Sequence, residues 1–262
     1  MEKVNHITEK EKPKYWVPAI EKAHLVMNLV CSSPRKYRLM DLVHETGINK
    51  SSMFSLLQTM EALNWIVLEP DGTYSNGSVI AQWAASFYRH NDLISEFRKE
   101  ASLYAEELGE TIQLARLEHT DVVYLAKEEC SYSRVRLVSE PGMTYPAHIT
   151  ALGKVMLAGL TDKEVRLRYA GQALEQPTPN SVKDSGELFK QLDEIRKQGC
   201  AFDLQEAVIG FCCVAAPITN SSGEVVAAVS CSMLQQVWEE KKDRAALQIK
   251  TLARKLTQAA QQ

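Results

Sequence analysis

Residues 39–59 constrain the fold of this chain more than any other segment, because they have the pattern of a helix-turn-helix. In the first eight, apolar side chains recur at helical spacing and predict a helix with one apolar face. Gly47 is suited to end that helix, and Asn49 is a good N-cap for a second. The side chains expected on the buried face of the second helix are Met53, Leu56, Leu57 and Met60.

The outward face of the second helix is polar, with short side chains and one cation near the helix start. Such side chains reach phosphates and base edges in a DNA major groove. Alone, the two helices also fit an ordinary helical hairpin in a core. However, an apolar strand at residues 65–68, a Pro-Asp-Gly turn and a return strand from Thr73 follow, so the segment predicts a winged helix-turn-helix. The residues predicted to contact double-stranded DNA are Arg35, Lys36, Arg38, Asn49, Lys50, Ser51, Ser52, Phe54 and Ser55.

Composition and charge set broad limits on the chain. Its 262 residues suffice for two domains, and no apolar run approaches the roughly 18 residues of a membrane span. Residues 1–14 mix both charges without the apolar core of a signal peptide, so we expect a mobile arm and a cytoplasmic protein. The six cysteines lack CxxC spacing, which favours reduced thiols. The net charge of −3 argues modestly against DNA binding, although cations cluster locally near Arg35 and Lys50.

The pattern of elements after the hairpin changes from helical to alternating. Helices are predicted over residues 78–89 and 92–108, and residues 110–125 indicate a β-hairpin that turns at His119 to Asp121. A third strand is expected at Val135 to Val138, three helices between about residues 149 and 198, strands at 212–218 and 225–231, and a last helix from Trp238. This order predicts an α+β sandwich, with helices packed on an antiparallel sheet.

Several blocks in this order resemble the IclR-type bacterial transcription regulators along almost the whole chain. The blocks are residues 18–23 before the first helix, 47–52 at the recognition turn, 150–154 with 157–158, 199–206, 213–218 and 227–230. The resemblance implies an N-terminal winged helix, a linker helix that dimerises and a C-terminal GAF-like domain that binds a small metabolite. The corresponding boundaries are 1–14 for the arm, 15–77 for the DNA-binding domain, 78–91 for the linker and 92–262 for the effector domain.

The resemblance also implies an effector site and shows one departure from the family pattern. Carried over by position, the effector site consists of the backbone of Ala151 and Leu152 with the side chains of Asp203, Cys213, Ser230 and Ser232. Members commonly carry Arg where this chain has Ser55, so its operator preference is expected to differ.

The residues themselves support that effector site. A helix opening at Thr150 would present free N–H groups to a carboxylate, and Ser230 and Ser232 alternate onto one strand face. Asp203 would repel a bare anion and is expected to accept hydrogen bonds from a ligand hydroxyl or a pocket donor. The expected effector is therefore a small hydroxy, keto or sugar acid. It would control the binding of a dimer, or a dimer of dimers, to a near-palindromic operator.

Other interpretations of the same residues remain open at this point. Ser230 and Ser232 also fit a solvent-facing strand, and Cys213 fits a buried structural thiol. His148, Asp203 and Cys213 lack recognised metal-ligand spacing, so neither a metal nor a cofactor is expected. Cys213 as a nucleophile would make the protein an enzyme, with His148 as the one nearby base, but the winged helix would then have no role. Oxidation of Cys212 or Cys213 would instead make it a redox sensor.

Overall fold

The computed structural model of this chain describes residues 13–89, 91–131 and 139–260. All but the last two positions of the predicted arm, and the predicted strand at Val135 to Val138, lie outside these ranges. The chain divides into two compact units between residues 90 and 91. Each unit has its own hydrophobic core.

The N-terminal unit is built from short helices and a two-stranded hairpin. Its elements in order are α1 (Pro18–Ser32), α2 (Leu39–Thr46), α3 (Lys50–Ala62), β1 (Ile66–Leu68), β2 (Tyr74–Asn76) and α4 (Ser78–Arg89). Residues 18–23 form the first turns of α1 and do not precede it, which corrects the expectation from the sequence. Proline is well suited to this position, because the first helical N–H has no intrahelical partner to lose.

Local chemistry explains how α2 and α3 are joined. Gly47 ends α2 with φ at 68°, a left-handed conformation that glycine adopts without strain. The Asn49 side chain then accepts the Ser52 backbone N–H at 2.9 Å and caps α3. Met53, Leu57 and Met60 are buried as predicted, whereas Leu56 is half-buried at the edge of the core.

The C-terminal unit is an antiparallel sheet between helices. Its strands are β3 (Thr111–Glu118), β4 (Asp121–Glu128), β5 (Thr144–Pro146), β6 (Ala201–Leu204), β7 (Phe211–Thr219) and β8 (Val225–Leu234). Among the described residues the strand order is β5-β4-β3-β8-β7-β6, so the two strand groups from opposite ends of the unit meet where β3 pairs with β8. The short strands β5 and β6 were not predicted from the sequence.

Helices cover both faces of this sheet. They are α5 (Asp92–Leu108), α6 (Ala151–Ala158), α7 (Asp162–Arg168), α8 (Ser185–Gln198) and α9 (Gln235–Ala260), with a 3-10 turn at Ala147–Ile149 before α6. Residues 227–233 of the central strand β8 are buried without interruption, as expected when both faces of a strand are packed. The α+β architecture is therefore confirmed, although α6 is shorter than predicted and α9 begins three residues earlier.

Candidate functional site

The outward face of α3 carries most of the residues predicted to contact DNA. Lys50, Ser51, Phe54 and Ser55 are exposed, and half of the Phe54 surface is accessible. Ser52 is half-buried, because its backbone N–H lies against the Asn49 cap. The Ser51 hydroxyl also donates to Asn49 Oδ1 at 2.9 Å. The first turn of α3 thus presents an ordered polar surface, in which the side-chain Oδ1 of Asn49 already accepts two hydrogen bonds.

The three cations before α2 lie in different local settings. Arg35 has a left-handed backbone with φ at 61°, and its Nε donates to Glu69 Oε1 at 3.1 Å. The Lys36 ammonium lies 4.9 Å from the centre of the Tyr37 ring, whereas Arg38 is the exposed N-cap position of α2. Glu69 was not predicted from the sequence, and it ties Arg35 to the base of the wing. Arg35 thus contacts a carboxylate through Nε while most of its side chain stays exposed.

A cavity of about 160 Å³ lies in the C-terminal unit, and all six residues of the predicted effector site line it. An engineered cavity of roughly 150 Å³ holds one benzene molecule, so this space suits a ligand of about six to nine heavy atoms. The other lining residues are Gln113, Tyr124, Ser139, Tyr145, Thr150, Ala207, Val208 and Phe211.

One wall of the cavity is a row of polar side chains that crosses the sheet. Asp203 pairs with Cys213 across β6 and β7, and Cys213 pairs with Ser232 across β7 and β8. Directly paired residues of antiparallel strands point to the same face, so the three side chains stand side by side. Ser230 lies two residues from Ser232 on that same face, opposite Gln113 of β3. Both serines are buried in this wall, and they do not face solvent.

A second wall of the cavity is formed by the start of α6. Thr150 caps this helix, since its Oγ1 accepts the Gly153 N–H at 3.0 Å and its carbonyl accepts the Lys154 N–H at 2.9 Å. The N–H groups of Ala151 and Leu152 precede the first intrahelical hydrogen bond, so helix geometry leaves them without an intrahelical acceptor. Their direction, together with the helix dipole, favours a bound anion.

Gly153 allows that helix start to sit against the preceding turn. A Cβ atom at this position would lie 2.2 Å from the Ala147 carbonyl oxygen, which is backbone and has no freedom to move aside alone. Any larger residue would therefore push α6 away from the 3-10 turn, and the two N–H groups would move with it.

Burial dominates the electrostatics of Asp203. Desolvation raises the pKa of this carboxyl to about 7, although the Glu206 N–H donates to its Oδ1 at 2.6 Å and Lys154 lies near. Near neutral pH Asp203 is therefore present in both its protonated and its ionised form. From the sequence, Asp203 is expected to act as a negative charge that accepts hydrogen bonds, whereas the folded environment also makes it a hydrogen-bond donor.

A buried ion pair lies behind the cavity wall. The Lys154 ammonium, 1% exposed, contacts the Glu206 carboxylate and donates to Gln191 Oε1 at 2.9 Å. Burial raises the pKa of Glu206, and the neighbouring ammonium opposes that shift. This pair links α6 to the loop after β6, which carries the lining residues Ala207 and Val208. No motif in the sequence separated Lys154 from an ordinary exposed lysine.

The remaining chemistry of the cavity does not favour a thiolate or a metal. Burial raises the pKa of the Cys213 thiol well above its usual value, and the Asp203 carboxylate adds to that effect. His148 Nε2 pairs with the Glu175 carbonyl oxygen at 2.9 Å, and its ring packs edge-on against Tyr169. Across the described ranges, no group of three His, Cys, Asp or Glu side chains is placed to hold a metal ion.

None of the helices in the described ranges is both long enough and apolar enough to cross a membrane.

Comparison with known proteins gives matches to both units. The model of the family described as "Bacterial transcriptional regulator IclR C-terminal" matches residues 86–258, and that of the "IclR helix-turn-helix domain" matches residues 19–70. The transcriptional regulator KdgR of Dickeya chrysanthemi is 30% identical over 203 residues, which are 76% of this chain and 65% of KdgR. The match thus spans slightly less than two thirds of that relative.

Other relatives are matched over more of their length. The regulator XynR of Escherichia coli K12 is 28% identical over 83% of this chain and 86% of its own. The crystal structure of an IclR transcriptional regulator from Alicyclobacillus acidocaldarius superposes with a TM-score of 0.83 at 26% identity, and it covers 94% of this chain and 100% of that one. With both parts of the sequence matched in order, the chain belongs to the IclR family of DNA-binding bacterial transcriptional regulators.

Proposed function

We propose that this protein controls transcription by binding a near-palindromic operator as a dimer or a dimer of dimers, and that a small organic acid bound in the cavity regulates this binding. In this proposal residues 15–77 contact DNA, 78–91 link the subunits and 92–262 bind the effector in the cytoplasm. The observation that carries it is the cavity, where a polar row on the sheet faces the free N–H groups of a helix start.

The two sides of the cavity suit the two ends of such an acid. The carboxylate fits the N–H groups of Ala151 and Leu152, which cost no side-chain entropy to position. Ser230 and Ser232 are then on the side that contacts hydroxyl or keto groups. Asp203 in its protonated form is able to donate to the ligand, and its ionised form accepts from a ligand hydroxyl.

The names of the relatives bear on whether the protein represses or activates transcription. The related AllR proteins are named transcriptional repressors, and one of them, from Escherichia coli K12, is 27% identical over 82% of this chain. By analogy we propose repression, relieved or enforced by the acid. An enzymatic or redox function of Cys213 is less favourable, because its buried thiol has a raised pKa and therefore little thiolate.

The test combines effector screening with two variants. A thermal-shift panel of small hydroxy, keto, sugar and aromatic acids identifies ligands, since binding to the native state raises the melting temperature. Ser230→Ala and Ser232→Ala should each weaken the best acid about 5- to 150-fold by calorimetry, because a ligand oxygen loses its partner at about 1–3 kcal/mol. Operator affinity without the acid should stay near that of wild type. Unchanged acid affinity in both variants would place the effector site elsewhere.

A further inference from the structure

Gln113 occupies a central place in the cavity wall, although neither the sequence pattern nor the family resemblance assigned it a role. It lies on β3, is 2% exposed and lines the cavity. Its Oε1 accepts from the Ser232 hydroxyl at 2.7 Å and more weakly from the Ser230 hydroxyl at 3.5 Å. Its Nε2 donates to the Ser139 hydroxyl. One amide group therefore connects three of the hydroxyls in the wall.

These contacts determine what the serines offer to a ligand. A serine hydroxyl has one hydrogen and two lone pairs. While Ser232 donates its hydrogen to Gln113, its oxygen has only lone pairs left, which face the Cys213 thiol at 3.1 Å and the cavity. Ser230, when it donates to Gln113, likewise presents lone pairs. In this arrangement the wall accepts hydrogen bonds, and it favours a ligand group that donates one.

Rotation of the Gln113 amide by half a turn reverses that preference. The NH₂ group would then donate to Ser230 and Ser232, and the serine hydrogens would be released from Gln113. They could then be donated to a ligand carbonyl or ether oxygen, with the weakly accepting Cys213 sulfur as the alternative acceptor for Ser232. The Ser139 hydroxyl is able to turn and donate to the rotated Oε1, so every polar group keeps a partner. The two orientations differ only in which end of the amide is oxygen, a distinction that the hydrogen-bond network itself decides.

We propose that Gln113 determines hydrogen-bond selectivity for the uncharged end of the effector, by orienting Ser230 and Ser232 as acceptors for a hydroxyl or as donors to a carbonyl. This inference rests on the proposed function, because it assumes that the cavity binds a small acid. It adds a selectivity residue to that site and names the ligand property that the residue selects.

The test uses three acids of one shape and eight heavy atoms, which are 4-hydroxypentanoate, 4-oxopentanoate and 4-methylpentanoate. Calorimetry measures their affinities for the full-length protein at pH 8, and the ratio of the hydroxy acid to the oxo acid is the readout. Wild type should bind both oxygen-bearing acids more tightly than the methyl acid. If none of the three acids binds at millimolar concentration and no acid of the thermal-shift panel binds either, the proposed function is overturned and this inference with it.

Two substitutions of Gln113 should move the ratio in opposite directions. Gln113→Met removes the amide acceptor and leaves the weakly accepting Cys213 sulfur as the neighbour of Ser232. The serine hydrogens then favour the carbonyl oxygen, and the ratio should fall about fivefold. Gln113→Glu keeps acceptors only, so the serines stay committed as donors to it and the ratio should rise about fivefold. The negative charge weakens all three acids alike and therefore cancels in the ratio.

Gln248→Met provides a matched control outside the cavity. Gln248 lies on α9, where its Nε2 donates to Glu107 Oε2 at 2.7 Å, so the ratio should equal that of wild type. If Gln113 served only packing, its variants would weaken the three acids in proportion. A ratio within twofold of wild type in folded Gln113→Met overturns the inference while acid binding itself persists. If that variant does not fold, the ratio in Gln113→Glu decides by the same criterion.

Discussion

At the scale of single residues, Lys50 and its neighbours on α3 are expected to divide the work of DNA binding. Lys50 is exposed at the first position of the helix, where a long cation reaches phosphate. Ser51 and Ser52 have short side chains beside the Asn49 cap, which binds the Ser51 hydroxyl and the Ser52 backbone N–H. We therefore expect these serines to reach only base edges that lie close to α3. The flexible cation is accordingly expected to supply affinity, and the fixed polar groups are expected to supply sequence preference.

We predict that Lys50→Ala weakens binding to operator and random DNA by similar factors. Each phosphate contact releases about one counterion, so the slope of log affinity against log salt should decrease by about one. Fluorescence anisotropy over a salt series measures this slope. Lys163→Ala, an exposed lysine of α7 in the other unit, is the control and should leave it unchanged. A loss confined to operator DNA would contradict the phosphate role.

Asp203 should make the stability of the C-terminal unit depend on pH. Its pKa is about 7 in the fold and near its ordinary value of 3.8 in the unfolded chain. Between these values the native state holds a proton that the unfolded state has lost, so the contribution of Asp203 to the unfolding free energy falls as pH rises from about 4 to 7. Asp203→Asn removes this contribution.

The expected result is therefore a difference between two curves. Relative to wild type, Asp203→Asn should gain roughly 2–4 kcal/mol of unfolding free energy between pH 4 and pH 8. Urea unfolding at several pH values measures it, and the subtraction removes the effects of other carboxyl groups. Parallel curves for the two proteins would show that Asp203 ionises normally in the fold.

At the scale of elements, the Lys154–Glu206 pair fixes α6 against the loop after β6. The loop is further held because the Thr178 hydroxyl donates to the Gln205 carbonyl at 2.8 Å and the Ser181 hydroxyl donates to the Glu206 carbonyl at 2.7 Å. The N–H groups at the start of α6 and the lining residues Ala207 and Val208 thus belong to elements joined by a buried ion pair. The geometry of the cavity therefore depends on this ion pair.

We predict that Lys154→Met costs about 3–5 kcal/mol of unfolding free energy, because it leaves the Glu206 carboxylate buried without a counter-charge. The double variant Lys154→Met/Glu206→Gln should recover a large part of that loss, since no unpaired charge remains. Chemical denaturation of the single and double variants measures both effects. A double variant that is as unstable as the single one would show that the lysine acts through packing alone.

At the scale of the whole molecule, α4 exposes large aromatic side chains. Within the described residues, α4 has no buried side chain, although it carries Trp83 and Phe87, which are 54% and 41% exposed. Trp83 also packs against Trp65 of its own unit at 5.3 Å between ring centres. An amphipathic helix with exposed aromatic residues suits association with a second copy, as the resemblance to the family implied.

Phe87→Ser should therefore weaken self-association and, with it, operator binding. Truncation of an aromatic hot spot costs about 2 kcal/mol or more at an interface, which raises the dissociation constant at least tenfold. Sedimentation velocity over a concentration series measures the shift. Leu247→Ser, at a 65% exposed leucine of α9, is the control. Wild-type protein that remains monomeric at concentrations where it binds DNA would refute the dimer.

The sequence predicted most of the elements because their signals are local. Gly47, Asn49 and Gly199 end or cap helices through contacts within a few residues, and apolar periodicity marks the faces that become buried. The resemblance also placed six residues that the fold brings to one cavity. What local signals miss is a short strand such as β6, whose four residues are stabilised by pairing with β7 and not by their own pattern.

Only the tertiary structure decided how the polar groups of the cavity work together. Gln113 and Ser232 are 119 positions apart, and they meet because β3 pairs with β8 across the join of the two strand groups. The burial of Lys154 and the raised pKa of Asp203 likewise follow from packing by distant elements. Capping and periodicity act over one or two turns of chain, whereas desolvation and cross-strand contact depend on the surroundings that the complete fold assembles.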